Sequence, residues 1–138
     1  MQAEARLWRG EPSQAIGSAD EAMRLLPEGT SDWFRAAGEA GTARGRVGRT
    51  RDLAAWIERA AAVTPTPGAL AAWAIAFARV AVHLYYAGDF ATPDRVLAAV
   101  ERGIAGLDLG PLVEARLAGA LAARAVEASD LDGVERET

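Results

Sequence analysis

Apolar residues recur at intervals of three and four along most of the chain. Ala15, Ala19, Ala22, Met23 and Leu26 keep this spacing, as do Leu53, Trp56, Ile57, Ala60 and Ala61, and later Val96, Ala99, Val100 and Ile104. Such spacing gathers apolar side chains on one face of an α-helix, whereas a half-buried strand would alternate with period two. No stretch alternates cleanly. Proline punctuates the pattern. Pro12, Pro67, Pro93 and Pro111 each follow an N-cap candidate (Glu11, Thr66, Thr92, Gly110) and precede helix formers, a position where the missing N–H costs nothing. Pro27 and Pro65 sit just past helical runs that proline cannot continue. These signals predict an all-α fold of about seven helices, near 2–9, 12–26, 31–46, 49–63, 67–87, 93–106 and 111–128.

The breaks between helices recur. Gly10, Gly48 and Gly88 are separated by 38 and 40 residues, and Ser129-Asp130-Leu131 follows Gly88-Asp89-Phe90 after 41 more. Pro27 and Pro65 each lie 17 residues after a break glycine, Ala22 and Ala60 each lie 12 after, and Trp33 and Trp73 each lie 15 before. A repeated helix-turn-helix accounts for all four positions. Glycine accepts the positive φ of a tight turn, the small alanine lets paired helices approach, and proline ends the second helix. The expected organisation is one domain over 1–138, with repeats near 1–28, 29–66 and 67–108 and a partial one at 109–138, packed as antiparallel helix pairs.

At these residues the chain resembles the tetratricopeptide repeat family. Gly10, Ala15, Ala22 and Pro27 stand at the family's spacing, Trp33 follows Pro27 by six residues, and Gly88-Asp89-Phe90 matches its turn signature. The chain departs from the pattern in three ways. Trp33 and Trp73 stand about one helical turn further before the turn glycine, the third repeat lacks the closing proline, and Leu53 and Pro93 replace the small residue after the turn. The chain is thus similar to the longer repeats in sensor and scaffold regions of large bacterial signalling proteins, Ser/Thr kinases and ATPase-type regulators among them. The resemblance implies an α-solenoid that binds a peptide or a neighbouring domain of its parent chain on a concave helical surface. An alternative is a regulatory sensor region holding a small ligand between helices. Neither end carries an evident polar cap, so the chain reads as an excerpt of a longer protein or as a homo-oligomer joined through its ends.

First helices of each pair line the concave surface in the family resembled. Glu39 and Arg79 are equivalent in the register, as are Arg46 and Tyr86, and Arg124 takes the place of His83. Arg79, His83 and Tyr86 share a face at i, i+4 and i+7. Glu39, Arg46, Arg79, His83, Tyr86 and Arg124 therefore form the candidate binding strip. Arg79 is the only charge in the apolar run and needs a partner; Glu39, one repeat earlier, is the expected one.

Composition narrows the functional classes. The 138 residues are 51% hydrophobic and 25% charged, as in a soluble single domain. A net charge of −4 opposes a nucleic-acid surface, which needs a basic field. There is no cysteine and one histidine, and no nucleophile–base pair or metal-ligand spacing appears, so no catalytic residue, metal or cofactor is expected and the segment reads as a non-enzyme. All 15 basic residues are arginine, a bias of the kind a GC-rich genome produces. The N-terminus lacks a secretory core, so a cytoplasmic location is expected. Ala69 to Ala87 is almost long enough to span a bilayer. A charge at mid-span would cost about 2.5–3.5 kcal/mol, so Arg79 favours a buried central helix. The Arg44–Arg51 stretch, "RGRVGRTR", is too irregular for a phosphate loop; it reads as a turn whose arginines could also hold an anion. "SDLDG" at 129–133 reads as a fourth inter-helix turn leading to an acidic tail.

Overall fold

The computed structural model describes residues 12–137, with side chains described for 14–130. Six helices fill this span: α1 Pro12–Leu25, α2 Ser31–Arg46, α3 Thr50–Ala61, α4 Leu70–Tyr86, α5 Ala91–Ile104 and α6 Pro111–Glu137, with a 3₁₀ turn at Pro67–Ala69 leading into α4. The described residues contain no strand. The helix expected at 2–9, with Gly10, lies outside them.

Local chemistry sets the boundaries. Thr30 caps α2, its Oγ1 accepting from the Trp33 N–H at 3.3 Å. Gly48 and Gly88 hold φ of 74° and 86° in the turns that close α2 and α4, as the repeat reading expects. Several boundaries differ from expectation, three of them for reasons visible in the local chemistry. Thr66 and Pro67 open a 3₁₀ turn, and the α-helix begins only at Leu70. The fifth helix starts at Ala91 because the Asp89 carboxylate accepts the Thr92 N–H at 3.1 Å, so Thr92 is not the cap and Pro93 falls third in the first turn. The expected turn at Ser129–Leu131 is absent, and α6 continues to Glu137. Ser129 stands where the other breaks have glycine and no proline follows, so nothing there obliges the helix to stop.

Helices α1, α2, α4 and α6 lie side by side in a row, while α3 and α5 form a second layer, α3 against α2 and α4, and α5 against α4 and α3. Helices α2 and α4 run parallel, since Gly38 meets Ala76, Gly41 meets Val80 and Gly45 meets His83 in ascending order. Side chains there would hold the helices apart. A Cβ on Gly41 would stand 2.5 Å from Val80 Cγ2 and 2.9 Å from Trp56 Cζ3, and one on Gly45 would stand 2.7 Å from His83 Nδ1. The three glycines therefore let α4 press against α2.

The core follows this contact. Trp33, Phe34, Phe77 and Trp73 form a chain of edge-to-face rings with centroids 5.0, 6.1 and 6.3 Å apart, joining the two helices. Both tryptophans are buried, as their equivalent positions predict, and so is Ala60; Ala22 is half-buried. The stretch Pro67–Tyr86 is the one segment among the described residues long and apolar enough to cross a membrane by length and composition. In the fold it is central, covered by α2, α3, α5 and α6.

Candidate functional site

The parallel packing of α2, α4 and α6 leaves a groove of about 380 Å³ across their N-terminal halves. Phe34, Ala71, Ala72, Ile75, Ala76 and Leu112 supply its apolar surface, and Arg35, Glu39, Arg79 and Arg116 its charges. Arg79 Nη1 donates to Glu39 Oε1 at 3.1 Å, the partner that the register predicts. The Glu39 side chain is buried and that of Arg79 about a quarter exposed (6% and 27%), so the carboxylate is spent inside while the guanidinium keeps N–H donors facing the groove opening. Arg35, half-engaged by Asp32 on its own helix at 2.6 Å, and Arg116 are exposed at the groove's rim.

Other strip residues lie beyond the groove. His83 packs its ring on Gly45, one turn past Arg79. Burial first, then the charges of Arg46 and Arg79, hold its pKa below the ordinary histidine value. Arg46 and Tyr86 are exposed. Arg124 does not join the strip. Its guanidinium is engaged by Asp94 of α5 through two bonds of 2.8 and 2.9 Å and lies 5.5 Å from the Phe90 ring centre. The register equates it with His83, but α6 is rotated relative to α4, which turns this position toward the second layer.

Tyr85 completes that network by donating to Asp94 Oδ1 at 2.6 Å. Burial and the bond to Asp94 push the phenol's pKa up, while the bond from Arg124, which outweighs the opposing effect of burial, and then the bond from Tyr85 hold the Asp94 carboxyl below the usual range. A carboxyl depressed in the folded state stabilises the fold above its unfolded pKa of about 3.9, and that stability is lost as pH falls through the lower folded value. Asp94→Asn is therefore expected to destabilise the chain at neutral pH. The gap between wild type and variant in urea midpoint should stay constant from pH 7 to 5 and close below about pH 4; a gap unchanged at pH 2.5 would show that the carboxylate's charge contributes nothing.

The arginine stretch after α2 is dispersed. Arg44 is buried, bonded to both Asp20 carboxylate oxygens at 3.2 and 2.8 Å and to the Ala40 carbonyl, with the Trp56 ring 5.6 Å away. It ties α1, α2 and α3 together and is not available to an external anion. Arg49 pairs with Asp52, leaving Arg46 and Arg51 at the surface. Arg35 and Arg116 are not marked by local pattern, since a lone exposed arginine on a helix carries no distinguishing signal. The signal available was their place in the register: Arg35, Ile75 and Arg116 are separated by 40 and 41 residues. Among the described residues no group of His, Asp or Glu could hold a metal ion.

Fold and site thus define an all-α protein with a cationic groove formed by three successive helices of a row. No protein-family model matches the chain, and no curated protein or solved structure matches it either.

Proposed function

We propose that this chain is a protein-interaction module, a helical-repeat scaffold that binds an acidic peptide or an acidic segment of a neighbouring domain across α2, α4 and α6. The observation that carries this reading is the charge of the groove: three guanidiniums, Arg35, Arg79 and Arg116, against two carboxylates, the buried Glu39 beside Arg79 and the exposed Asp32 beside Arg35, in a chain whose net charge is −4. Apolar walls between the arginines supply contact area, and the cations supply register and sign. The exposed rim favours an extended partner over a small molecule enclosed between helices. Helix pairs α2–α3 and α4–α5, offset by 40 residues at their turn glycines, support the repeat reading. The resemblance to tetratricopeptide-like regions of bacterial signalling proteins supports a scaffold role in such a protein.

Titration of the chain with a fluorescent Asp/Glu-rich peptide and with its Asn/Gln counterpart tests the proposal. Binding should be confined to the acidic peptide and weaken with salt. Arg35→Ala combined with Arg116→Ala should weaken it by roughly tenfold or more at unchanged helical content, given the strength of hydrogen bonds to charged groups. Equal binding of both peptides, or an affinity indifferent to the double substitution, would refute it.

A further inference from the structure

Just past the groove, the contact between α2 and α4 holds a polar group without a partner. Thr42 is 6% exposed, and its Oγ1 is the one buried side-chain oxygen or nitrogen among the described residues that makes no hydrogen bond. A threonine inside a helix can satisfy its hydroxyl on the carbonyl four residues back; Thr42 does not. It follows Gly38 and Glu39 by four and three residues and precedes Gly45 and Arg46 by three and four, so it shares their side of α2. A Cβ on Gly38 would stand 3.9 Å from Arg79 Nη1, and one on Gly45 would stand 2.7 Å from His83 Nδ1. Thr42 therefore sits on α2 between the points where α4 brings in a guanidinium and an imidazole.

The charges around this point have one sign. Besides burial, Arg46 of α2 and Arg79 of α4 are what hold the His83 imidazole neutral, and no carboxylate opposes them. Glu39 is spent on Arg79, and α6 commits Arg124 to Asp94. Arg46 is exposed and forms no ion pair with a described residue. Two guanidiniums, an imidazole that donates from both nitrogens once protonated, and an unpaired hydroxyl offer more donors than the two oxygens of a carboxylate can use. A phosphate monoester fits them better, with about −1.5 to −2 charges and three strong acceptor oxygens, and guanidinium–phosphate bonds are among the strongest available to a side chain. With the groove taken as a peptide site, we propose that Thr42, Arg46, Arg79 and His83 form an adjoining subsite for a phosphate monoester, so that the acidic partner is held best when it carries phosphoserine or phosphothreonine.

Acidic peptides of one sequence, with phosphoserine, glutamate or serine at a single position moved along the chain, provide the test. At the best position the phosphoserine peptide should bind roughly tenfold or more tightly than its glutamate counterpart. Arg46→Gln, an exposed substitution outside the groove, should remove that advantage and spare the glutamate peptide. Thr42→Val takes away an unpaired hydroxyl, so it should keep or raise stability while cutting the phosphoserine advantage severalfold. His83 is the only histidine, so its ring resonances report on the subsite alone. The phosphoserine peptide should raise its titration midpoint by about one pH unit beyond the glutamate peptide, since a nearby dianion favours the imidazolium. Binding of the acidic peptides with no gain from phosphate, or a His83 midpoint that phosphate leaves unmoved, overturns the subsite and leaves the groove intact. If no peptide binds but inorganic phosphate still raises the His83 midpoint in an Arg46-dependent way, the groove reading fails and the subsite belongs to a small phosphate compound.

Discussion

Trp73→Ala is expected to lower stability by about 3–5 kcal/mol, the usual cost of truncating a buried aromatic. Trp73 is 8% exposed, packs edge-on to Phe77, and fills the space beside Gly103 of α5, where an added Cβ would stand 2.6 Å from its Cη2. The cavity would open between α4 and α5, beside Gly103. Against a total of about 5–15 kcal/mol for a domain, a loss of this size shifts the thermal midpoint by roughly 10 °C or more. Trp33→Ala, at the equivalent position of α2, should cost a similar amount. Calorimetry or a urea titration reads both, and a loss under 1 kcal/mol at either position would mean that the indole is not a packing anchor.

Glu39→Ala is expected to cost about 2–3 kcal/mol, short of the 3–5 typical of a fully buried pair, because Arg79 is about a quarter exposed and recovers some hydration. The informative variant is the double one. Arg79→Met with Glu39→Leu removes both charges and keeps apolar volume, and such replacements are often neutral or stabilising. Most of the loss should therefore return, with a coupling free energy of about 1 kcal/mol or more between the sites. Additive destabilisation would place the two residues in separate environments. The same double variant should bind the acidic peptide more weakly than wild type despite its recovered stability, which separates the groove's role from the fold's.

Much of this arrangement is legible in the chain because its signals are local or periodic. Thr30 and Gly48 bracket α2, and Ser31–Arg46 coincides with the range its spacing predicts. The Glu39–Arg79 contact follows from a register of 40 residues, because parallel helices in successive pairs bring equivalent positions alongside each other. What escaped depends on side chains competing for backbone groups or on rotations between helices. Asp89 captures the Thr92 N–H and moves a helix start by two residues from the expected Pro93 to Ala91. Arg124 follows Asp94 into the second layer, which register alone cannot foresee. Arg44 belongs to the arginine stretch that the sequence reads as a turn able to hold an anion, yet Asp20 on α1 draws it inward. Arg35 and Arg116 acquire meaning only when three helices bring them to one groove.

The shared direction of α2, α4 and α6 has an electrostatic consequence independent of any arginine. Peptide dipoles along a helix sum to roughly half a positive charge at its N-terminus. Parallel packing sets three such ends along one edge of the row, near Ser31, Leu70 and Pro111, while α3, joined to α2 by a short turn, runs back in the other layer. The groove's lining begins at Phe34, Ala71 and Leu112, in the opening turn of each helix, and reaches Glu39 and Arg79 in the third turns of α2 and α4. Each end contributes about 0.3–1 kcal/mol toward a nearby anion, and salt screens the effect. A protein stripped of Arg35 and Arg116 should accordingly keep a weak, ionic-strength-dependent preference for negative partners, imposed by the chain direction of its backbone.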